Sequence, residues 1–245
     1  MTPAATRRAR RGPRPVARIA LAALWLAAIA ALLALGTWQV HRRTWKLALI
    51  ARVEAGMQAP PMPAPASARP EDAYRRVVAT GTFLAGHDSF VQATTVRGPG
   101  WWVLTPLRTD AGRVILINRG YVPHRIAAPP DAGAVTVTGL LRLTEPKGGF
   151  LRSNDPAADR WHSRDVAAIA ARRGIGPVAP YFIDAAAGRD AAAGSDRRPI
   201  GGLTVVRFPN NHLVYAITWY MLAAMSAAGF LCWIGVGRQR RPPLA

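Results

Sequence analysis

Two long runs of this chain carry no charge, and nothing else in the sequence constrains the fold as tightly. Ile19–Gly36, "IALAALWLAAIAALLALG", is 18 residues long, and Leu213–Gly237, "LVYAITWYMLAAMSAAGFLCWIGVG", is 25. At about 1.5 Å of helical rise per residue, the shorter run covers roughly 27 Å, close to the hydrocarbon thickness of a bilayer. Both exceed ordinary core helices and predict transmembrane spans, over 19–38 and 212–237. The first follows a basic leader, as a signal peptide would. Its apolar core is longer than the roughly 7–15 residues of a signal h-region, and no small-x-small cleavage site precedes "GTWQVHRRTWK". It is therefore read as a retained signal anchor.

Charge sets the expected orientation. Residues 1–18 hold six arginines and no acid, and 238–245 hold Arg238, Arg240 and Arg241, again without an acid. The Lys/Arg bias places both tails in the cytoplasm of a cell membrane and the intervening segment on the periplasmic, extracytoplasmic side. Arg42, Arg43, Lys46 and Arg52 after the first span weaken that asymmetry without reversing it. The net charge of +19 is partly a matter of these tails. A basic balance can mark a nucleic-acid surface. With 30 Arg to 2 Lys, a membrane-proximal domain facing anionic lipid, in a chain of skewed coding, is the stronger reading, and no nucleic-acid partner is expected.

Beyond the first span a helical rhythm persists through an extension over 39–56. A Pro/Ala/Ser-rich linker follows over 57–72, extended and polyproline-like. From Tyr74 the period changes to two. "YRRVVATGTFL" and "DSFVQATTV" predict strands, Trp102–Arg108 and Arg113–Val122 a hairpin turning at "TDAG", and "AVTVTGLLRLTE" a strand bulged at Gly139. "DRWHSRDVAAIAARRG" predicts the single helix, capped at Gly174. "APYFIDAA" and "GGLTVVRFP" supply further strands, and "AAAGRDAAAGSDRRP" a mobile loop. The expected architecture is a membrane protein with two transmembrane helices flanking a β-rich, mainly antiparallel α+β extracytoplasmic domain over 73–209.

Several chemistries lack their residues. There is no G-x-S-x-G elbow, no H-E-x-x-H and no C-x-x-C-H, and the "GPG" and "GG" stretches read as turns. The one cysteine, Cys232, lies within the second span and reads as a packing residue. Five histidines remain. His41 just follows the first span, and His212 just precedes the second. Tyr215 and Trp219 stack on the helical face of His212, and Trp38 and Trp45 flank His41 likewise. An imidazole edged by flat rings at one depth suits a haem, with Arg42 and Arg43 available to its propionates. The same residues also suit an interfacial aromatic belt, with Asn210 or Asn211 capping the second helix. From spacing alone the belt-and-cap reading carries more weight.

Seven segments then occur in order: "LGTWQVHRRTWKLALI", "VVATGTF", "GWWVLTPL", "ILINRGYVP", "SNDPAADRWHSRDV", "PYFIDA" and "NNHLVYAITWY". With the two-span plan they resemble the Surfeit locus protein 1 family of cytochrome c oxidase assembly factors, from Leu35 to Trp233. The resemblance implies an assembly factor and not an enzyme, one that binds haem a transiently and presents it to the oxidase catalytic subunit in the respiratory chain. It implies His212 as the iron ligand and matches Trp38, Gln39, Trp45, Trp219 and Tyr220 to aromatic-rich motifs. Asn118, Arg119 and Gly120 match a further signature without an assigned role. His41 stands outside the family pattern, and His162 occupies a position usually aromatic. The implied partners are the catalytic subunit, haem a synthase and the lipid bilayer. A scaffold that stabilises an oxidase intermediate without binding haem is the alternative.

Overall fold

The computed structural model describes residues 15–149, 151–188, 196–204 and 208–239. The chain divides into two units, one formed by 1–49 with 208–245, the other by 50–207. Most of both basic tails, 1–14 and 240–245, and the centre of the expected mobile loop, 189–195, lie outside the described residues.

The first unit is built on two helices, α1 (Pro15–Gln58), whose last residues belong to the second unit, and α3 (His212–Gln239). Each is long and apolar enough to cross a membrane. Their less exposed positions recur alternately three and four residues apart. On α1 these are Trp25, Ile29, Leu32, Gly36, Gln39, Arg43 and Lys46; on α3 they are His212, Ala216, Trp219, Ala223, Ser226, Phe230 and Trp233. That heptad spacing keeps one seam of each helix facing the other. The helices run antiparallel: Trp25 Nε1 donates to Ser226 Oγ (2.9 Å), Thr37 Oγ1 meets the Tyr220 hydroxyl (3.0 Å), and Gln39 meets His212. Small residues permit the close approach. Gly36, Ala216 and Ala223 are buried, and a Cβ on Gly36 would stand 2.8 Å from the Tyr220 ring. The Trp25, Phe230 and Trp233 rings close one end, with centroids 5.7–6.0 Å apart.

The second unit is a barrel-like sheet. Its strands are β1 (Met62–Pro63), β2 (Arg76–Phe83), β3 (Ser89–Thr95), β4 (Gly98–Thr109), β5 (Val114–Val122), β6 (Ala134–Leu143) and β9 (Val178–Ala185), in the order β1-β2-β6-β9-β5-β4-β3. A further pairing of β2 with β4 closes the ring. All pairs are antiparallel except β1–β2 and β5–β9. A small ribbon of β7 (Gly148–Gly149) and β8 (Arg152–Ser153) precedes the helix α2 (Val166–Arg173).

Strand alternation separates two cores. Leu107, Ile115, Ile117, Leu141, Tyr181 and Ile183 pack together on one face of the sheet. Leu104, Leu116 and Phe182 face the other way, onto Trp161, Val166 and Ile169. With both faces covered, β5 is buried along nearly its whole length, which explains its continuous apolar run "VILI". Burial raises the Tyr181 hydroxyl pKa, against the lowering influence of Arg113, and that hydroxyl donates to the Pro65 carbonyl (2.6 Å). The Pro-rich stretch is thus held against the sheet: β1 pairs with Val77 and Val78, Ala64 is buried, and Asp72 closes a 3-10 turn over Pro70–Asp72.

Several local expectations change. Gly139 is not a bulge, because it pairs in register with both Val77 and Ala185. Register shifts fall instead on β5: against β4, Val103 and Leu104 face Gly120 and Asn118 and leave Arg119 as the extra residue, and against β9 the register slips between Val114 and Leu116. The "GPG" segment is not a turn but the start of β4, paired with β3. Only Val166–Arg173 of the expected helical stretch is helical; Asp165 caps its start through Ala168 N, and Gly174 ends it at φ 63°. Residues 201–204 and 208–209 form no strand, while 205–207 of the same stretch lie outside the described residues.

Candidate functional site

His212 is the first residue of α3, and its imidazole is half-buried. Among the described residues, neither asparagine side chain donates to or accepts from the first turn of the helix. Tyr215 N reaches the Asn211 carbonyl (3.3 Å), while the Asn210 Oδ1 atom is buried and has no hydrogen-bond partner among the described residues. The polar triplet "NNH" is therefore not accounted for as a cap. His212 Nδ1 lies 2.7 Å from Gln39 Oε1 on α1. Among the described residues its other ring nitrogen has no hydrogen-bond partner.

The heptad seam decides which neighbours share this end of the helix pair. Trp219, seven residues on, lies on the same seam and is half-buried, whereas Tyr215 points off it and is 54% exposed. On α1, Gln39, Arg43 and Lys46 follow one another along the seam, with Lys46 Nζ 5.9 Å from the Phe208 ring centroid. His41 is two residues past Gln39, about 200° around the helix at 3.6 residues per turn. It is exposed, and so are Trp38 (55%) and Trp45 (51%). Arg42 lies over the Trp45 ring, 4.1 Å from its centroid, on that outward side.

The seam carries His212, Trp219 and Arg43 from the residues read as haem contacts, together with Gln39, which the family motif had matched, and it adds Lys46. Trp38, His41, Arg42 and Tyr215 lie off it. The signal for Gln39 was present: a polar residue three after Gly36 and four before Arg43, in line with an otherwise apolar stripe.

The signature Asn118–Arg119–Gly120 serves a different centre, inside the barrel unit. Asn118 Nδ2 donates to Asp184 Oδ1 (2.7 Å), and Asn118 Oδ1 accepts from Gly120 N (3.2 Å), which pins the bulge. Asp184 is 3% exposed and also accepts from Arg142 (2.7 Å), Arg164 (3.4 Å) and Thr204 (3.0 Å). Burial acts to lower the Arg164 pKa, but Glu145 and Asp184 outweigh it and raise that pKa above its ordinary value. Arg119 shows the opposite balance: burial lowers its pKa, and the nearest carboxylate, Asp88, is 3.9 Å away. Each buried charge around Asp184 has a partner, the condition under which such a network holds a structure together. Among the described residues no three His, Cys, Asp or Glu side chains form a cluster fit for a bare metal ion.

Comparison with known proteins completes the picture. The model of the SURF1 family matches residues 26–224. Surfeit locus protein 1 of Homo sapiens is 37% identical over 220 residues, covering 79% of this chain and 70% of that protein. The Rattus norvegicus protein of the same name is 36% identical over 219 residues, with 79% and 69% covered. A SURF1-like protein of Monosiga brevicollis is 36% identical over 227 residues, with 84% and 83% covered. The match runs through both helices and the barrel between them, and the chain belongs to the SURF1 family, known as cytochrome c oxidase assembly factors.

Proposed function

We propose that this protein carries haem a in the membrane and presents it to the catalytic subunit of cytochrome c oxidase, with His212 as the iron ligand. The observation that carries the reading is the half-buried imidazole of His212 at the mouth of an antiparallel helix pair, one ring nitrogen engaged and the other without a partner among the described residues. A single histidine suits an iron already held by four pyrrole nitrogens, whereas a bare ion needs three or four protein ligands. The cationic Arg43 and Lys46 on the same seam complement propionates, and the half-buried Trp219 supplies a flat apolar wall. Haem a would supply the redox-active iron centre of the oxidase; this chain's residues bind it, shield one face and release it.

Release argues for one protein ligand rather than two. With His41 turned away from the His212 seam, a second imidazole from this helix pair does not reach the same centre. The antiparallel helices also favour a common side for both termini. The basic tails then place that side in the cytoplasm and the barrel outside, at the cell membrane. Haem a synthase is the natural donor in this scheme.

The test is a visible spectrum of the full chain purified from haem a-producing cells, beside His212→Ala. A haem a band in the first that is lost in the second supports the carrier. Two colourless proteins that still copurify with the catalytic subunit would instead identify a scaffold.

A further inference from the structure

We infer that Gln39 is a positioning residue for His212, fixing which ring nitrogen faces a ligand and how strongly that nitrogen donates. The inference rests on the carrier reading for its haem consequences, but its core claim concerns the haem-free protein. An amide oxygen can only accept a hydrogen bond. With Gln39 Oε1 2.7 Å from Nδ1, the proton of the neutral imidazole sits on Nδ1. The lone pair is then on Nε2, the nitrogen without a partner among the described residues.

The rest of the seam supports a functional role. Gln39 takes a seam position between Gly36 and Arg43, and it lies within reach of His212 because Gly36 lets the Tyr220 ring approach α1 closely. A buried interhelical amide can also simply set helix register, so the test needs a readout that register would not move. Partners of a ligating histidine's second nitrogen fix its tautomer and raise its basicity, and losing them typically weakens binding about 10–100-fold.

The first measurement is imidazole 15N NMR of the haem-free full chain in detergent, with His212 assigned by its loss in His212→Ala. The expected result is a proton on Nδ1, shifting toward Nε2 in the near-isosteric Gln39→Met. A proton on Nε2 in the unaltered protein overturns the inference, whatever the protein does with haem. The second measurement titrates haem a into the unaltered chain, Gln39→Met and Gln39→Glu, and records spectrum and midpoint potential. Gln39→Met is expected to bind about 10–100-fold more weakly. Gln39→Glu keeps an acceptor in place and makes His212 a stronger donor, so its potential should fall below that of the unaltered chain, with Gln39→Met above it. Equal potentials and affinities in all three, with binding still abolished by His212→Ala, would sink the role of Gln39 and leave the carrier intact. Haem binding that survives His212→Ala would sink the carrier's ligand assignment instead, while the NMR result on Gln39 stands by itself.

Discussion

The two units of this protein solve the burial problem in opposite ways. The barrel turns its apolar residues inward on both faces of one sheet and leaves Ile115, Leu116 and Ile117 with no exposed surface. The helix pair buries only a narrow seam, and residues such as Ile19 and Leu231 remain about 70% exposed. Acids divide just as sharply: all 13 lie within 50–207, and residues 1–49 and 208–245 hold none. A unit surrounded by water needs a closed core and can use ion pairs on and within it. The helix pair, apolar enough to cross a membrane, leaves its leucines outward and meets through small residues and a few polar pairs.

That contrast can be broken most forcefully at Asp184. Asp184→Ala leaves Arg142 and Arg164 buried around a lost partner, and is expected to destabilise the barrel by about 3–5 kcal/mol. Denaturant unfolding followed by the fluorescence of barrel tryptophans would show it; an effect under 1 kcal/mol would mean that the network is dispensable. Gly120→Ala comes next. Gly120 sits at φ 134°, and a Cβ there would run into the Ile200 carbonyl, so a loss of about 1–3 kcal/mol is expected, read as a lowered Tm. Both substitutions should leave the His212 imidazole signals of the helix pair in place.

Acid provides a smaller and more selective probe. Burial acts to raise the Asp159 pKa, but the Trp161 indole N–H, Arg173 and Arg125 outweigh it and hold the carboxyl below its ordinary 3.8. A depressed carboxyl contributes stability above its unfolded pKa and loses it as pH falls through the folded one. The barrel should therefore weaken progressively below about pH 3.8, and Asp159→Asn should flatten that part of a stability–pH curve. An unchanged curve would assign the acid sensitivity elsewhere. The smallest effect belongs to the helix pair: Ser226→Ala removes the Trp25 hydrogen bond and should cost about 0.6 kcal/mol of helix association, with no change in barrel Tm.

Much of the barrel was legible residue by residue. Strand patterning marked β2, β3, β5, β6 and β9 within a residue or two, and Gly174 marked the end of α2, while its start at Asp165 was not read. What misled was glycine. Gly139 reads as a bulge in isolation but serves a regular, crowded register, while a bulge against β4 falls on Arg119 beside Gly120. Only strand pairing tells these cases apart, because a bulge is a mismatch between two strands and neither strand contains it alone. At the helix pair, the aromatic spacing around His41 and around His212 looks equivalent. The seam separates them, since facing is a property of the pair.

By itself the sequence determined the two apolar helices, the β character of the segment between them, the acid-free tails and the family. These follow from local period, length and charge, which act along the chain. The tertiary structure alone decided that β2 meets β4 to close the sheet, that Asp184 collects Asn118, Arg142, Arg164 and Thr204, and that Gln39 rather than His41 meets His212. Those choices join residues as much as 173 positions apart. They are settled by which buried polar groups find partners once the apolar surfaces have packed.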